Sequence, residues 1–216
     1  MATGRKVPLT KREELPIVWP RRPFPWNVII SSKQAAQIFL AKAPANIHRQ
    51  CDIYTFSRAV VDQLADLNAY RYAASTMNEM LELFWQDSAV DRTREHYFFG
   101  AEVPAVDLVA EFQKQSLRLE AVALYTTVAI KSLAPELLTF LNASVLVCFA
   151  APSAIRAWKG FIEEGLLQGE YSYLCIGPTT AAACRDLLEV EPAQAEEATM
   201  LSLATCAAAI IGSKEG

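Results

Sequence analysis

The chain has 216 residues, of which 52% are hydrophobic and 20% are charged, and its formal net charge at pH 7 is -4. This length is sufficient for one large domain or two of about 100 residues, and the hydrophobic fraction excludes a disordered chain. No apolar run approaches the ~18 to 20 residues of a membrane-spanning helix, which excludes an integral membrane segment of this kind.

The cysteines are five in number and include no Cys-x-x-Cys pair. Such a set does not predict a disulfide framework, and most of the five lie in apolar stretches where a thiol behaves as a small hydrophobic side chain. This usage favours a reducing compartment. As a separate expectation, the compartment is a mitochondrion or another organelle, with the cytoplasm as the alternative.

The N-terminal segment is basic and rich in proline. Residues 1–26 contain six basic and two acidic side chains, so they carry +4 and the rest of the chain carries -8. Because proline fixes φ and lacks an amide hydrogen, we expect an extended arm over residues 1–25 rather than a helical presequence. The arm either stays solvated or docks on an acidic partner. Beyond it nothing suggests a nucleic-acid-binding surface.

From Trp26 onward, short β-branched runs alternate with helical patterns, which is typical of βαβ units and a parallel sheet. The predicted strands are 27–31, 50–54, 70–72, 96–99, 119–127, 144–150, 172–176 and 188–191. The predicted helices are 34–41, 58–67, 77–85, 105–114, 135–141, 153–163, 179–187 and 196–210. Thr76 and Glu79 form a capping box at the start of the third helix.

The sequence also repeats itself weakly. Residues 27–39 and 146–158, which are 119 positions apart, both predict a strand, a turn of small residues and a helix. Residues 53–60 and 175–182 form a second pair at a spacing of 122, and Met80-Leu81 precedes Met200-Leu201 by 120. Similar spacings in the same order predict two copies of one α/β unit; the alternative is chance similarity between βα units.

The most specific string in the chain is Ile176–Ala183. A strand ends at a glycine, proline suits the first helical turn, and two threonine hydroxyls lie beside free amides at the start of the helix. These residues would build either an anion site or an ordinary capped helix. Phe149–Ala154 has the same shape, but its turn lacks hydroxyl groups.

These strings resemble those of the uroporphyrinogen-III synthase family. Ile30–Ala35 and Phe149–Ala154 are similar to its two "F-T-S-x-x-A-V" turns, and Ile176–Ala183 is similar to its last "G-x-x-T-A-A-A-L" turn. Ala121–Val128 is similar to the family's tyrosine strand, and Tyr97–Gly100 is similar to its "L-x-P-R-G" segment. The resemblance covers residues 15–211.

The resemblance implies two flavodoxin-like parallel-sheet domains joined by a two-stranded linker. Domain 1 then contains part of the arm together with residues 123–216, and domain 2 is inserted as residues 26–122. Residues 6–14 are faintly similar to the family's first strand, yet about 20 residues for the following helix are absent, judged against an ordinary βαβ unit. This shortening implies that one domain lacks a helix and leaves a sheet face uncovered, unless a partner protein covers it.

The family's reaction closes hydroxymethylbilane, which carries eight carboxylates, inverts its last ring and uses no metal or cofactor. In this sequence Tyr125 matches the family's candidate proton donor. Helix N-termini would hold the substrate in a cleft between domains. The implied substrate-binding residues are Ser31, Ser32, Ser153, Gly177, Thr179 and Thr180. The two histidines, His48 and His96, fit none of these roles, and we expect no metal site.

The departures from the family pattern weigh against catalysis. Ala150 and Ala151 replace both hydroxyls of the second turn, Tyr54–Arg58 has no glycine and places a bulky side chain at the turn, and no arginine stands beside Gly100. A body that carries -8 without clustered arginines also suits an octacarboxylate poorly. We therefore favour a non-catalytic subunit that docks in an assembly through the arm and the uncovered sheet face. The alternative is an active synthase, and a nucleotide-binding flavodoxin-like protein is weaker because no phosphate-loop glycine pattern follows a strand.

Overall fold

The computed structural model describes residues 9–48, 50–130, 145–167 and 169–214. The chain separates into two compact units, a central unit formed by Arg12–Thr126 and a terminal unit formed by Met1–Lys11 with Thr127–Gly216. In the described parts of the chain, no helix is both long and apolar enough to cross a membrane. The helix predicted at 135–141 lies outside the described residues.

The central unit is built on a doubly wound sheet. Its strands are β1 (Thr10–Glu14), β2 (Trp26–Ile29), β3 (Cys51–Thr55), β4 (Ala69–Arg71), β5 (Glu95–Ala101) and β6 (Leu119–Ala129). Its helices are α1 (Lys33–Lys42), α2 (Ala45–His48), α3 (Arg58–Val61), α4 (Met77–Gln86) and α5 (Leu108–Lys114). The predicted α/β class with parallel sheets is therefore confirmed.

The sheet has the order β1-β6-β5-β2-β3-β4, and β2 to β6 are parallel. Counted along the chain, these five strands follow the order 3-2-1-4-5, whereas flavodoxin itself has the order 2-1-3-4-5. The order reverses between β2 and β5. In doubly wound sheets, ligands bind outside the carboxyl ends of the strands at such a switch point.

Strand β1 is antiparallel to β6. The Ile130 amide donates to the Leu9 carbonyl at 2.9 Å and the Leu15 amide donates to the Leu124 carbonyl at 3.0 Å, so the partners run in opposite directions. The expectation that residues 6–14 resemble the first strand of a parallel sheet was therefore wrong for 10–14. Because both unit boundaries fall inside β1 and β6, the chain passes between the units in two paired strands, as the family resemblance implied.

The N-terminal segment is extended, but from residue 9 onward it is not a solvated arm. Ile17, Trp19 and Phe24 pack against the core of the central unit. The Trp19 ring lies 5.9 Å from Phe39 and 5.4 Å from Phe99, measured between ring centroids. Large apolar side chains between the prolines supply this burial. Arg12 and Thr126 are the observed limits of the unit, which differ from the predicted limits at residues 26 and 122.

Two hydrophobic clusters lie on opposite faces of the central sheet. Helices α1, α2 and α3 pack on one face around Trp26, Val28 and Phe99, and we call this cluster the α1-side core. Helices α4 and α5 pack on the other face around Ile29 and Phe98, and we call it the α4-side core. The alternation of neighbouring β2 residues between the two cores follows from the two-residue period of a strand.

Helix α4 begins with the predicted capping box. The Glu79 amide donates to the Thr76 hydroxyl at 3.2 Å. The Glu79 carboxylate accepts from the Ser75 amide at 2.8 Å, whereas the usual donor to it in this motif is the amide of the N-cap residue, here Thr76. The local sequence therefore fixes where this helix starts.

Two predicted elements differ from the structure. The helix predicted over 58–67 ends at Val61. Several of the following amides bond to carbonyls three residues back, as Gln63 does with Val60 at 3.1 Å and Leu67 with Leu64 at 2.9 Å. Such tight turns do not continue an α-helix. Residues 188–191, which were predicted as a strand, do not form one. The helix extends to Leu188, and the next strand begins at Ala193.

The terminal unit contains a three-stranded parallel sheet in the order β7 (Val145–Phe149), β8 (Tyr171–Cys175) and β9 (Ala193–Gln194). Its helices are α6 (Pro152–Glu163), α7 (Pro178–Leu188) and α8 (Met200–Lys214). Helices α6 and α7 pack on one face of this sheet, and α8 packs on the other. The uncovered sheet face that we expected is therefore not observed within residues 145–167 and 169–214.

The two units repeat the same order of elements. Helix α6 begins 119 residues after α1, β8 and α7 begin 120 residues after β3 and α3, and α8 begins 123 residues after α4. The spacing of 120 corrects the predicted value of 122 for the second pair. It makes Ser57, rather than a bulky residue, the counterpart of Gly177, because these residues directly precede α3 and α7.

All five cysteines are free thiols. Cys51, Cys175 and Cys184 are buried. Burial disfavours the thiolate and raises the pKa of Cys51 and of Cys175 to about 12. These two thiols therefore stay protonated and act as small hydrophobic side chains.

His96 is a buried titratable group on β5. The side chain is 3% exposed and packs edge-on against Phe84 and Phe112, with ring centroids 6.2 and 5.2 Å away. Neither ring nitrogen has a hydrogen-bond partner within the described residues. Burial lowers the pKa of His96 below its ordinary value, although the nearby Glu95 and Arg94 carbonyls oppose this shift.

The free energy of unfolding is expected to fall as the pH decreases below about 6.5, because the unfolded chain then binds a proton that the folded His96 does not. The slope reaches at most about 1.4 kcal/mol per pH unit and ends once the pH lies below the folded-state pKa. Urea unfolding at several pH values measures it. A His96→Leu variant should lose this slope, whereas His48→Gln, which removes the only other histidine, should keep it. If the free energy of unfolding depends on pH equally in the wild type, His96→Leu and His48→Gln, His96 is not the source of the slope.

Candidate functional site

The candidate site lies at the carboxyl edge of the central sheet, where the strand order reverses. Ser31 and Ser32 follow β2, and Tyr125 of β6 pairs with Ala101, the last residue of β5. Ser32 is the N-cap of α1, and its hydroxyl accepts the Ala35 amide hydrogen at 3.2 Å. The Ser32 Oγ and Tyr125 Oη atoms lie 3.1 Å apart, within hydrogen-bond distance. Two predicted site residues that are 93 positions apart in sequence are therefore in direct contact.

A β-bulge in β6 explains how Tyr125 reaches Ser32. Gly100 of β5 pairs with Ala123, but the next residue, Ala101, pairs with Tyr125, so that Leu124 is the extra residue. Strict alternation would place Tyr125 opposite to Leu124 and on the α4-side core. Instead, both residues belong to the α1-side core, since a bulge redirects the side chains that follow it.

Gly100 accommodates a neighbouring aromatic ring beside this bulge. A Cβ atom at Gly100 would lie 2.1 Å from Cζ of Phe98, because the Phe98 ring covers the strand there. Any larger residue would therefore force the buried Phe98 ring to move. Gly100 ends the string 97–100 that is similar to a family segment, but the steric requirement for glycine is visible only in the structure.

Cationic side chains lie along the same edge. Lys33 opens α1 after β2, Arg58 opens α3 after β3, and Arg71 ends β4. Arg12 of β1 lies with its guanidinium carbon 5.4 Å from the centroid of the Tyr125 ring. Because the carboxyl ends of parallel strands share one edge, these charges favour an anionic ligand there. Asp62 partly offsets Arg58, at a separation of 3.9 Å.

The sequence alone does not predict that these four cations lie along one edge, and the expected lack of clustered cations does not hold there. For Lys33, Arg58 and Arg71 a signal existed, since each lies within four residues of the end of a predicted strand. For Arg12 no local signal existed, because its position depends on the antiparallel pairing of β1 with β6.

The other predicted residues lie in the terminal unit. Ser153 is in the first turn of α6, while Gly177, Thr179 and Thr180 lie at the start of α7. Thr179 is exposed and Thr180 is 4% exposed. Ala151 is the N-cap of α6 and provides no side-chain hydrogen bond, unlike its counterpart Ser32. These four residues share the carboxyl edge of the three-stranded sheet.

Metal-ligating side chains do not gather in the described parts of the chain, where no group of three or more His, Cys, Asp or Glu residues could hold an ion. The side chains of the candidate site are hydroxyls, a phenol and cations. Such a set suits hydrogen bonding to carboxylates and proton transfer.

Comparison with protein families decides the assignment. The family described as "Uroporphyrinogen-III synthase HemD" matches residues 7–205. The chain belongs to the uroporphyrinogen-III synthase family. The match runs from before β1 into α8 and therefore includes both units of this family member.

A solved structure of a uroporphyrinogen-III synthase has the same fold. The Helicobacter pylori 26695 uroporphyrinogen-III synthetase has a TM-score of 0.65 and 18% identity, and the match covers 94% of this chain and 91% of that one. The uroporphyrinogen-III synthase of the extremely thermophilic bacterium Thermus thermophilus has a TM-score of 0.45 and 15% identity, with coverage of 88% and 78%. A comparison with curated proteins finds no match.

Proposed function

We propose that this chain is an active uroporphyrinogen-III synthase, which closes hydroxymethylbilane and inverts its last ring. The contact between Ser32 and Tyr125 is the observation that carries the proposal. A catalytic phenol needs a fixed position and a free proton, and this contact supports both. The lack of clustered cations is one of the arguments for a non-catalytic chain. The cations at the carboxyl edge of the central sheet weaken that argument.

The hydrogen bonds of Ser32 are compatible with a proton donor at Tyr125. Since Ser32 Oγ already accepts the Ala35 amide hydrogen, it can donate its own proton to Tyr125 Oη. The Tyr125 proton is then free for transfer to the hydroxyl group of hydroxymethylbilane. The carbon–oxygen bond breaks, water departs, and a cationic carbon and a phenolate remain. The phenolate charge stabilises the cationic carbon nearby.

The charge along the carboxyl edge suits the eight carboxylates of this substrate. Lys33, Arg58 and Arg71 lie at the ends of three adjacent parallel strands, which are spaced about 4.8 Å apart. The free amides at the start of α1 add donors, because the N-terminus of a helix attracts anions. In the terminal unit, the first turns of α6 and α7 offer the same kind of donor, with Thr179 as an exposed hydroxyl.

A non-catalytic subunit is the second candidate function. Ala151 favours it, because the helix start that corresponds to Ser32 in the other unit has lost its hydroxyl cap. In that case the fold would serve as a scaffold within an assembly, and Tyr125 would be a structural residue. The two candidates differ in a single measurable property, the production of the type III isomer.

A turnover assay with freshly generated hydroxymethylbilane tests the proposal. The type III product is separated from the type I product, which forms spontaneously, and a protein-free reaction gives the background. We expect type III product above that background. A folded protein, judged by near-UV circular dichroism, that yields only the type I product would overturn the proposal and favour the subunit.

A further inference from the structure

Arg12 is held beside Tyr125 by the pairing of their two strands. The hydrogen bonds between Leu9 and Ile130 and between Leu15 and Leu124 place Arg12 opposite residue 127 and diagonal to Tyr125. Diagonal neighbours in a sheet lie within reach of long and aromatic side chains. The guanidinium carbon is 5.4 Å from the ring centroid, a distance at which a cation attracts the face of an aromatic ring.

Arg12 belongs to the basic N-terminal segment, but its contact with the Tyr125 ring is not explained by docking on an acidic partner. Glu14, two residues along on β1, forms an ion pair with Lys42 of α1. Lys42 is the last residue of α1, so this exposed pair links β1 to the C-terminal end of the helix that Ser32 caps. The strand pairing of β1 therefore fixes the backbone of Arg12 beside Tyr125, although the residue itself is exposed.

We propose that Arg12 is a positioning residue for Tyr125, an inference that rests on the proposed synthase reaction. The guanidinium holds the face of the ring, while Ser32 holds the hydroxyl group, so the phenol is fixed at two points. The same positive charge compensates for the negative charge that forms on Tyr125 when its proton is transferred. Arg12 is expected to act through Tyr125 and not by binding the substrate.

The test compares variants in the presence and absence of the Tyr125 hydroxyl. Arg12→Met keeps a long apolar side chain without the charge, and we expect it to lower kcat about tenfold while KM changes by less than about twofold. Arg12→Lys retains a cation that can also attract the face of the ring, and it should stay within about threefold of the wild type. In a Tyr125→Phe background, Arg12→Met should cause no further loss, because there is no phenolic proton left to position.

Arg21→Met is the matched control, since it removes one exposed cation from the same basic segment. It should leave kcat unchanged. A rise in KM at constant kcat would overturn the inference, because Arg12 would then bind substrate directly. An equal loss in the Tyr125→Phe background, or no loss at all, would overturn it as well.

A readout without turnover separates this inference from the proposed function. In the full chain with ¹³C-labelled tyrosine rings, Arg12→Met should shift the Tyr125 resonance and leave that of Tyr97 in place. If the wild type makes type III product but Arg12→Met leaves the Tyr125 resonance unshifted, the positioning role alone would be overturned. A wild type that makes no type III product would overturn the proposed function and, with it, the positioning role.

Discussion

Replacement of Tyr125 by phenylalanine is expected to lower kcat for the type III product by a factor of about 10² to 10⁴, the usual contribution of a positioned proton donor. The ring is 5% exposed, and phenylalanine fills nearly the same volume, so the fold should persist. The only group removed is the hydroxyl that contacts Ser32 at 3.1 Å. Steady-state kinetics with hydroxymethylbilane, together with near-UV circular dichroism, measures both effects.

Tyr97 provides the matched control for this variant. It lies on the neighbouring strand β5 in the same α1-side core, is 1% exposed, and its hydroxyl has no hydrogen-bond partner among the described residues. Burial raises the pKa of Tyr97 to about 12, so its hydroxyl remains protonated. Tyr97→Phe should leave kcat unchanged and raise the free energy of unfolding by about 1 kcal/mol, because an unsatisfied buried group is removed. Equal losses of activity in both variants would indicate a general packing effect and would exclude Tyr125 as the donor.

The positions of Ser32 and Tyr125 within their elements illustrate what local sequence patterns predict, whereas the contact between them also needs the bulge in β6. Each residue belongs to a short local motif, a strand followed by a small-residue turn for Ser32 and a β-branched strand for Tyr125. Such motifs are fixed by neighbouring residues, and the starts of α1 and α6 therefore lie within one residue of their predicted positions. The two copies of the α/β unit were likewise predicted from the similar sequence separations of their repeated strings.

The arrangement of Arg12, Gly100 and the bulge could not be predicted in the same way. The bulge arises from a register shift between β5 and β6, and the placement of Arg12 depends on a strand pair that spans more than 100 residues. No local propensity encodes such pairings. The prolines around Trp19 and Phe24 indicated an extended chain correctly, but composition gave no sign that these rings are partly buried against the core.

Removal of residues 1–25 is expected to unfold the central unit. The truncation deletes β1, which leaves the β6 edge unpaired, and removes Ile17, Trp19 and Phe24 from the α1-side core. Each large apolar side chain contributes up to about 1.5–3 kcal/mol when buried, and a domain has a margin of only about 5–15 kcal/mol. Loss of near-UV circular dichroism and of a cooperative urea transition would report this result.

Point variants show whether packing, and not the loss of charge, causes this unfolding. Trp19→Ala is expected to lower the free energy of unfolding by about 2–3 kcal/mol, less than for a fully buried tryptophan, because the ring is half-buried against Phe39 and Phe99. The adjacent Val18 is 85% exposed, so Val18→Ala should change the free energy of unfolding by no more than about 0.5 kcal/mol. A truncated chain that still unfolds cooperatively would contradict this prediction and would support an N-terminal arm that the fold does not need. If it unfolds as expected, loss of assembly after this truncation says nothing about docking, since the fold itself is lost.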